Sequence, residues 1–192
     1  PTIGSQSMII VGLTGTMGAG KGTVVEYLVE KKGFLHFSSR SFLSEEITRR
    51  NLPMNRDSMV EVANDLRKTH SPQYIIEELY KHAETYGKNA VIESFRTVGE
   101  IEFLKGKGSF YLLAVTAEPR IRYDRIVRRK SKTDTISFEK FITDEEREMN
   151  SNDPTRQNLS ASIARADFLL ENNGSLEEFN GKIEDICKTF TE

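Results

Sequence analysis

Apolar positions along the chain alternate between two kinds of stretch, short continuous runs and longer ones with helical spacing. Met8–Gly15 (MIIVGLTG) is a compact, β-branched run ending in glycine, as a strand buried on both faces would be. GTVVEYLVEKKG follows as a helix stopped by Gly33. Four further short runs read as strands: Phe34–Ser39, Ala90–Phe95, Ser109–Ala117 and Phe168–Asn173. The polar stretch from Arg40 to Tyr86 is mostly helical, with starts at a Ser58-x-x-Glu61 capping box and at Ser71-Pro72. Thr97-x-x-Glu100 opens another helix, Pro119 a second that runs into RRKSK, and Ser175-x-x-Glu178 the closing one. A helix-prone stretch spans Ser137 to about Ala164. Strand and helix alternate, so the expected fold is α/β: a parallel sheet of five strands covered by helices on both faces. Ligands of such sheets bind at the carboxyl ends of the strands.

Composition narrows this without redirecting it. The 192 residues fit one domain, 8–192, with 1–7 expected to be a disordered lead outside the fold. Net charge is −2, with 27 basic and 29 acidic residues, which argues against nucleic acid as a partner. Cys187 is the single cysteine, so no intramolecular disulfide or thiolate metal cluster can form, and a reducing, cytoplasmic setting is expected. No apolar run approaches 18 residues, so no membrane span is expected. The three histidines, His36, His70 and His82, show no metal spacing, and His36 is expected to be at least half-buried in its strand.

The candidate chemistry begins in GLTGTMGAGKGTV, Gly12–Val24, which lies directly after the first strand and opens the first helix. Backbone N–H groups from Gly18 to Thr23 can turn inward around phosphate oxygens, assisted by the positive end of the helix. Glycines permit the close approach, and Lys21 supplies a point charge for the outer phosphates. Gly15, Gly18, Ala19, Gly20, Lys21, Gly22 and Thr23 are therefore the expected nucleotide-binding residues. From Glu118 to Lys130, helical projection puts Arg122, Arg125, Arg128 and Arg129 on one face, with Tyr123, Ile126 and Val127 on the other.

GTMGAGKGT is similar to the phosphate loop of the adenylate-kinase-like nucleoside monophosphate kinases, which also carry Gly-Thr after the lysine. The resemblance implies a three-layer P-loop kinase fold with a helical acceptor-binding region, here 40–86, and a lid, here about 125–150. It also implies ATP and Mg2+ as cofactors and a small nucleotide as the substrate partner. The hydroxyl by the magnesium would be Thr23. KGFLHFSSRSFLSEEI resembles the second strand and the helix opening the acceptor region, which would make Ser39 and Arg40 substrate residues. VIESFRTVGEIEFL resembles the segment at the end of the third strand, placing Glu93 near magnesium and Arg96 on the acceptor phosphate. Arg122, Arg125 and Arg129 would then close over the nucleotide, with KSKTD, Lys130–Asp134, as the lid tip.

A second resemblance is carried by RADFLLENNGSLEEF, which is similar to the closing segment of dephospho-coenzyme A kinases. It implies that Asn173 and Gly174 lie against adenine. Those kinases place an aspartate just after the second strand, whereas HFSSRSF has no acid between His36 and Ser44. Phosphate transfer to a monophosphate tolerates that absence, because positioning and charge neutralisation carry most of the reaction. A nucleotide-binding switch without turnover is the alternative of another class.

Overall fold

A computed structural model describes residues 8–93, 95, 97–129, 136–150 and 158–190. Five strands form one sheet: β1 (Ile10–Gly15), β2 (Leu35–Ser38), β3 (Ala90–Glu93), β4 (Phe110–Thr116) and β5 (Phe168–Glu171). Their spatial order is β2-β3-β1-β4-β5, and each neighbouring pair is parallel. The helices are α1 (Lys21–Lys32), α2 (Ser39–Arg49), α3 (Arg56–Thr69), α4 (Tyr74–Tyr86), α5 (Val98–Lys105), α6 (Pro119–Arg129), α7 (Phe138–Met149), α8 (Leu159–Ala164) and α9 (Leu176–Phe190). The five-stranded α/β architecture expected from the apolar runs is the one observed.

Alternation along β1 divides the interior in two. Ile10 joins a core built with Leu43 and Ile47 of α2, Val62 and Leu66 of α3, Ile76 and Leu79 of α4, and Ile101 and Leu104 of α5. Val11 and Leu13 join the opposite core, with Val24 and Leu28 of α1 and Phe179, Ile183 and Cys187 of α9. A Leu13→Ala change would cost about 2–5 kcal/mol, since that side chain is wholly buried. The two faces thus carry different jobs: α1 and α9 back the loop after β1, while α2 to α5 occupy the other side.

Two helix starts differ from expectation. The N-cap of α3 is Asn55, whose Oδ1 accepts the Ser58 N–H at 2.8 Å, so Ser58 lies inside the first turn and is buried. Ser71 does not cap α4. Its carbonyl accepts the Tyr74 N–H at 3.1 Å in a turn that holds Pro72 ahead of the helix. At α3 the helix starts one turn earlier, so the Glu61 N–H that Ser58 would have capped lies inside it; at α4 the Ser71 carbonyl, not the hydroxyl, takes the Tyr74 amide. The Thr97–Glu100 capping box forms as expected, Gly33 ends α1 in the left-handed region, and Ser175 Oγ accepts the Glu178 N–H at 3.2 Å.

Candidate functional site

The loop after β1 is shaped by two glycines that nothing else could replace. Gly15 has φ +142°, and a Cβ there would fall 2.1 Å from the Val115 carbonyl oxygen. Gly20, the residue before α1, has φ +115°, and its Cβ would fall 2.6 Å from Asn172 Nδ2. The loop is therefore pressed against β4 and against the end of β5.

Its outer carbonyls are all bound from behind. Arg122 Nη1 donates to Met17 O at 3.3 Å, and Arg125 Nη1 to Gly18 O at 3.3 Å and Ala19 O at 3.4 Å. Asn172 Nδ2 donates to Ala19 O at 2.9 Å, and Arg125 Nη2 to Asn172 O at 2.6 Å. In a planar trans peptide the C=O and the following N–H point opposite ways. Holding three successive carbonyls outward therefore turns the amides of Gly18, Ala19 and Gly20 inward. The inner row is narrower than expected, however, because two amides are spent within the loop: Ala19 N–H on Thr16 O at 3.2 Å and Thr23 N–H on Gly20 O at 3.1 Å. Lys21 Nζ folds onto Gly15 O and Thr16 O at 3.1 and 2.9 Å, at the mouth of this cup.

The arginine face of α6 needs correcting. Arg122 is only 2% exposed and lies on the buried side with Ile126, one helical turn further on. Its Nε donates to Ala117 O at 2.8 Å, Nη2 donates to Glu145 Oε1 at 2.8 Å, and Nη1 pairs with the second Glu145 oxygen. Because residues four apart share a helix face, the arginine and the isoleucine could not be separated as the projection had them. Arg125 is half-buried, and burial, then the neighbouring Arg129 charge, pulls its pKa below the usual arginine value. Arg128 and Arg129 are exposed. The expected lid tip, Lys130–Asp134, lies outside the described residues, as does Arg96.

Glu93 ends β3 in register with Leu13 of β1 and Ser38 of β2. His36 Nε2 stands 3.2 Å from Glu93 Oε1. That hydrogen bond holds the Glu93 carboxyl below the usual carboxylate range; burial opposes the shift, and Lys21 adds to it. His36 is more exposed than its strand position predicted, since β2 is an edge strand. Thr23 is half-buried in the first turn of α1. A hydroxyl and an ionised carboxylate are hard oxygen donors and fit Mg2+ in kind.

Ser38 rather than Ser39 caps α2, accepting the Ser41 N–H at 3.1 Å; Ser39 is buried and Arg40 exposed. A cavity of about 420 Å³ opens beside them, lined by His36, Phe37, Ser38, Phe42, Glu45 and Tyr86 among others. Asn173 Oδ1 accepts the Glu118 N–H at 2.7 Å, tying the end of β5 to the start of α6, and Gly174 sits against Glu178. Two residues at the site, Asn172 and His36, escaped sequence reasoning. Asn172 was visible as a polar residue closing a buried run, but a lone histidine carries no local mark of a partner 57 positions away.

A family profile described as AAA domain matches residues 11–153, most of the chain and all of the loop just described. The chain belongs to this AAA domain family. Across nearly its full length the chain is similar to UPF0200 proteins. One from Methanococcus maripaludis (strain C6) is 26% identical over 188 residues, covering 94% of this chain and 97% of the relative. Another from Pyrobaculum aerophilum is 28% identical over 176 residues, covering 91% and 94%. Among solved structures, TT1252 from Thermus thermophilus superimposes with a TM-score of 0.62 at 19% identity, covering 96% of this chain and 98% of that one. Shikimate kinase from Acinetobacter baumannii, in complex with shikimate, gives 0.61 at 16% identity, covering 100% and 97%. These likenesses establish a P-loop kinase fold. Among the described residues no helix is long and apolar enough to cross a membrane.

Proposed function

We propose that the chain moves the γ-phosphate of ATP to a small nucleotide acceptor, with a nucleoside or deoxynucleoside monophosphate as the first candidate. The observation that carries this reading is the loop whose carbonyls are held outward by Arg122, Arg125 and Asn172, with Lys21 at its mouth. Inward amides at a helix N-terminus make a phosphate cradle. Lys21 would leave its carbonyl partners for the outer phosphates. Magnesium, when bound, neutralises charge on the donor phosphates, and Thr23 and Glu93 would hold it directly or through water. Arg96 would clasp the acceptor phosphate, with Ser39 and Arg40 bordering the acceptor at the start of α2. Arg129 would add charge from solvent, whereas Arg122 and Arg125 would serve the reaction by shaping the cradle.

A second reading, transfer to a hydroxyl such as the ribose hydroxyl of dephospho-coenzyme A, is favoured by one observation. Such an acceptor needs a basic group near the end of the second strand, and the His36–Glu93 pair stands there. A coupled assay with ATP, magnesium, a panel of monophosphates and dephospho-coenzyme A tests both. Turnover of a monophosphate is expected; turnover of dephospho-coenzyme A alone would install the second reading. ATP binding without turnover of any acceptor would overturn both and leave a nucleotide-dependent switch.

A further inference from the structure

Buried polar side chains nearly always find a hydrogen-bond partner, so those that do not call for a physical reason. Among the described residues two side-chain oxygens are buried with none, Thr14 Oγ1 and Thr16 Oγ1. They are not scattered. Both lie at the carboxyl end of β1, on either side of Gly15, with Thr14 2% exposed and Thr16 6% exposed. This is where ligands of parallel sheets bind. The backbone around them is fully used: Thr16 N–H donates to Val115 O at 3.2 Å and Thr16 O accepts from Lys21 Nζ at 2.9 Å. Only the hydroxyls are left over.

The side of the sheet decides what Thr14 faces. Ile10, Gly12 and Thr14 alternate with Val11 and Leu13 along β1. Ile10 belongs to the core shared with α2 to α5, and Val11 and Leu13 to the core behind the phosphate cradle. Thr14 thus points away from the donor cradle and toward the side covered by the helices of the acceptor region. Neither strand propensity nor packing asks for threonine here, since valine has the same shape and carries no hydroxyl to leave unpaired.

We propose that the Thr14 and Thr16 hydroxyls bind a polar group of the acceptor, an alcohol or phosphate oxygen, and so are specificity-determining residues for the phosphate transfer proposed above, on which this inference rests. Each hydroxyl offers one donor and two acceptor sites, so the pair can hold an acceptor oxygen beside the cradle without adding charge.

The test uses the full chain with Thr14→Val, Thr16→Val and Thr14→Ser, assayed against AMP, CMP, GMP, UMP and dephospho-coenzyme A. The wild type first identifies the acceptor that turns over. For that acceptor each valine variant is expected to lose about tenfold in kcat/KM. Thr14→Val should keep the wild-type affinity for ATP and the wild-type melting temperature or a higher one. Thr14→Ser should restore most of the loss. Wild-type kinetics in both valine variants would overturn the inference while leaving the kinase reading intact, because the hydroxyls would then serve only a buried water. A valine variant that melts well below the wild type would also overturn it, by showing that the hydroxyl is bound within the chain. A wild type that turns over no acceptor removes the kinase reading, and this inference falls with it.

Discussion

The two sides of the sheet are finished to different degrees. On the donor side, the loop carbonyls, Lys21, Arg122, Arg125 and Asn172 are joined in one hydrogen-bonded frame. Behind it, α1 and α9 are clamped by Glu184, which accepts from Tyr27 and from Lys32 Nζ at 2.9 Å. On the side proposed to take the acceptor, β2 and α2 to α4 border cavities of about 420 and 400 Å³, and at the carboxyl end of β1 the hydroxyls of Thr14 and Thr16 have no partner. A donor such as ATP always presents the same phosphates, so its cradle can be built rigid in advance. In the proposed reading an acceptor has to be chosen, and the groups that would choose it lie on the side that carries these cavities.

The sharpest way to break this comparison is at its electrostatic centre. Lys21→Met removes the one loop side chain assigned to the donor phosphates and should lower kcat by about 100-fold or more. The fold should survive, because Lys21 is only half-buried and the loop is also held by Arg122, Arg125 and Asn172. Steady-state assay beside a thermal melt reads both quantities. Near-normal turnover would show that the donor does not sit in this loop.

Next in size is the frame behind the loop. Arg122→Met leaves Glu145, itself largely buried, without its partner and should destabilise the chain by about 3–5 kcal/mol. Adding Glu145→Leu should recover much of that loss in urea unfolding while ATP affinity stays reduced, since Met17 O has lost its donor. If the double variant regains full ATP affinity, the outward pull on the loop carbonyls is not what shapes the cradle.

This frame also marks the limit of what the chain's order of residues discloses. The loop was legible because strand, glycines, lysine and helix are contiguous, and each acts on its neighbours. The capping box at Thr97 and the stop at Gly33 were legible for the same reason. Arg122 was misread because its true partners, Ala117 O, Met17 O and Glu145, come from three separate segments. Asn172 and His36 act across 153 and 57 positions, where periodicity carries no information. Asn55 displaced Ser58 as a cap because its Oδ1 takes the N–H of Ser58 itself and starts the helix three residues earlier.

Asn55 supplies a smaller probe, confined to the acceptor side. Asn55→Ala removes the cap of α3 and should cost about 1 kcal/mol. Because α3 packs on α2 and α4, in the core opposite the one that backs the loop, ATP affinity should be unchanged while acceptor KM rises. A change in ATP affinity alone would mean that the two sides are coupled more tightly than their separate cores imply.

The smallest expected effect lies where the two sides meet. Glu93 sits on the cradle side of β3, but its partner His36 lines the acceptor-side cavity. The folded pKa of Glu93 is held below its ordinary 4.5, so its contribution to stability is complete above that value. It is lost as pH falls through the lower folded value, where the native carboxylate finally takes its proton. His36→Ala removes the largest cause of the shift, so the variant should lose less stability than the wild type between pH 6 and pH 3. Both partners are about a third exposed, and solvent screening limits the difference to about 0.5 kcal/mol. Urea unfolding across that range measures it. Equal acid sensitivity in the two proteins would show that His36 does not hold Glu93 in solution, and that this pair does not join the two sides.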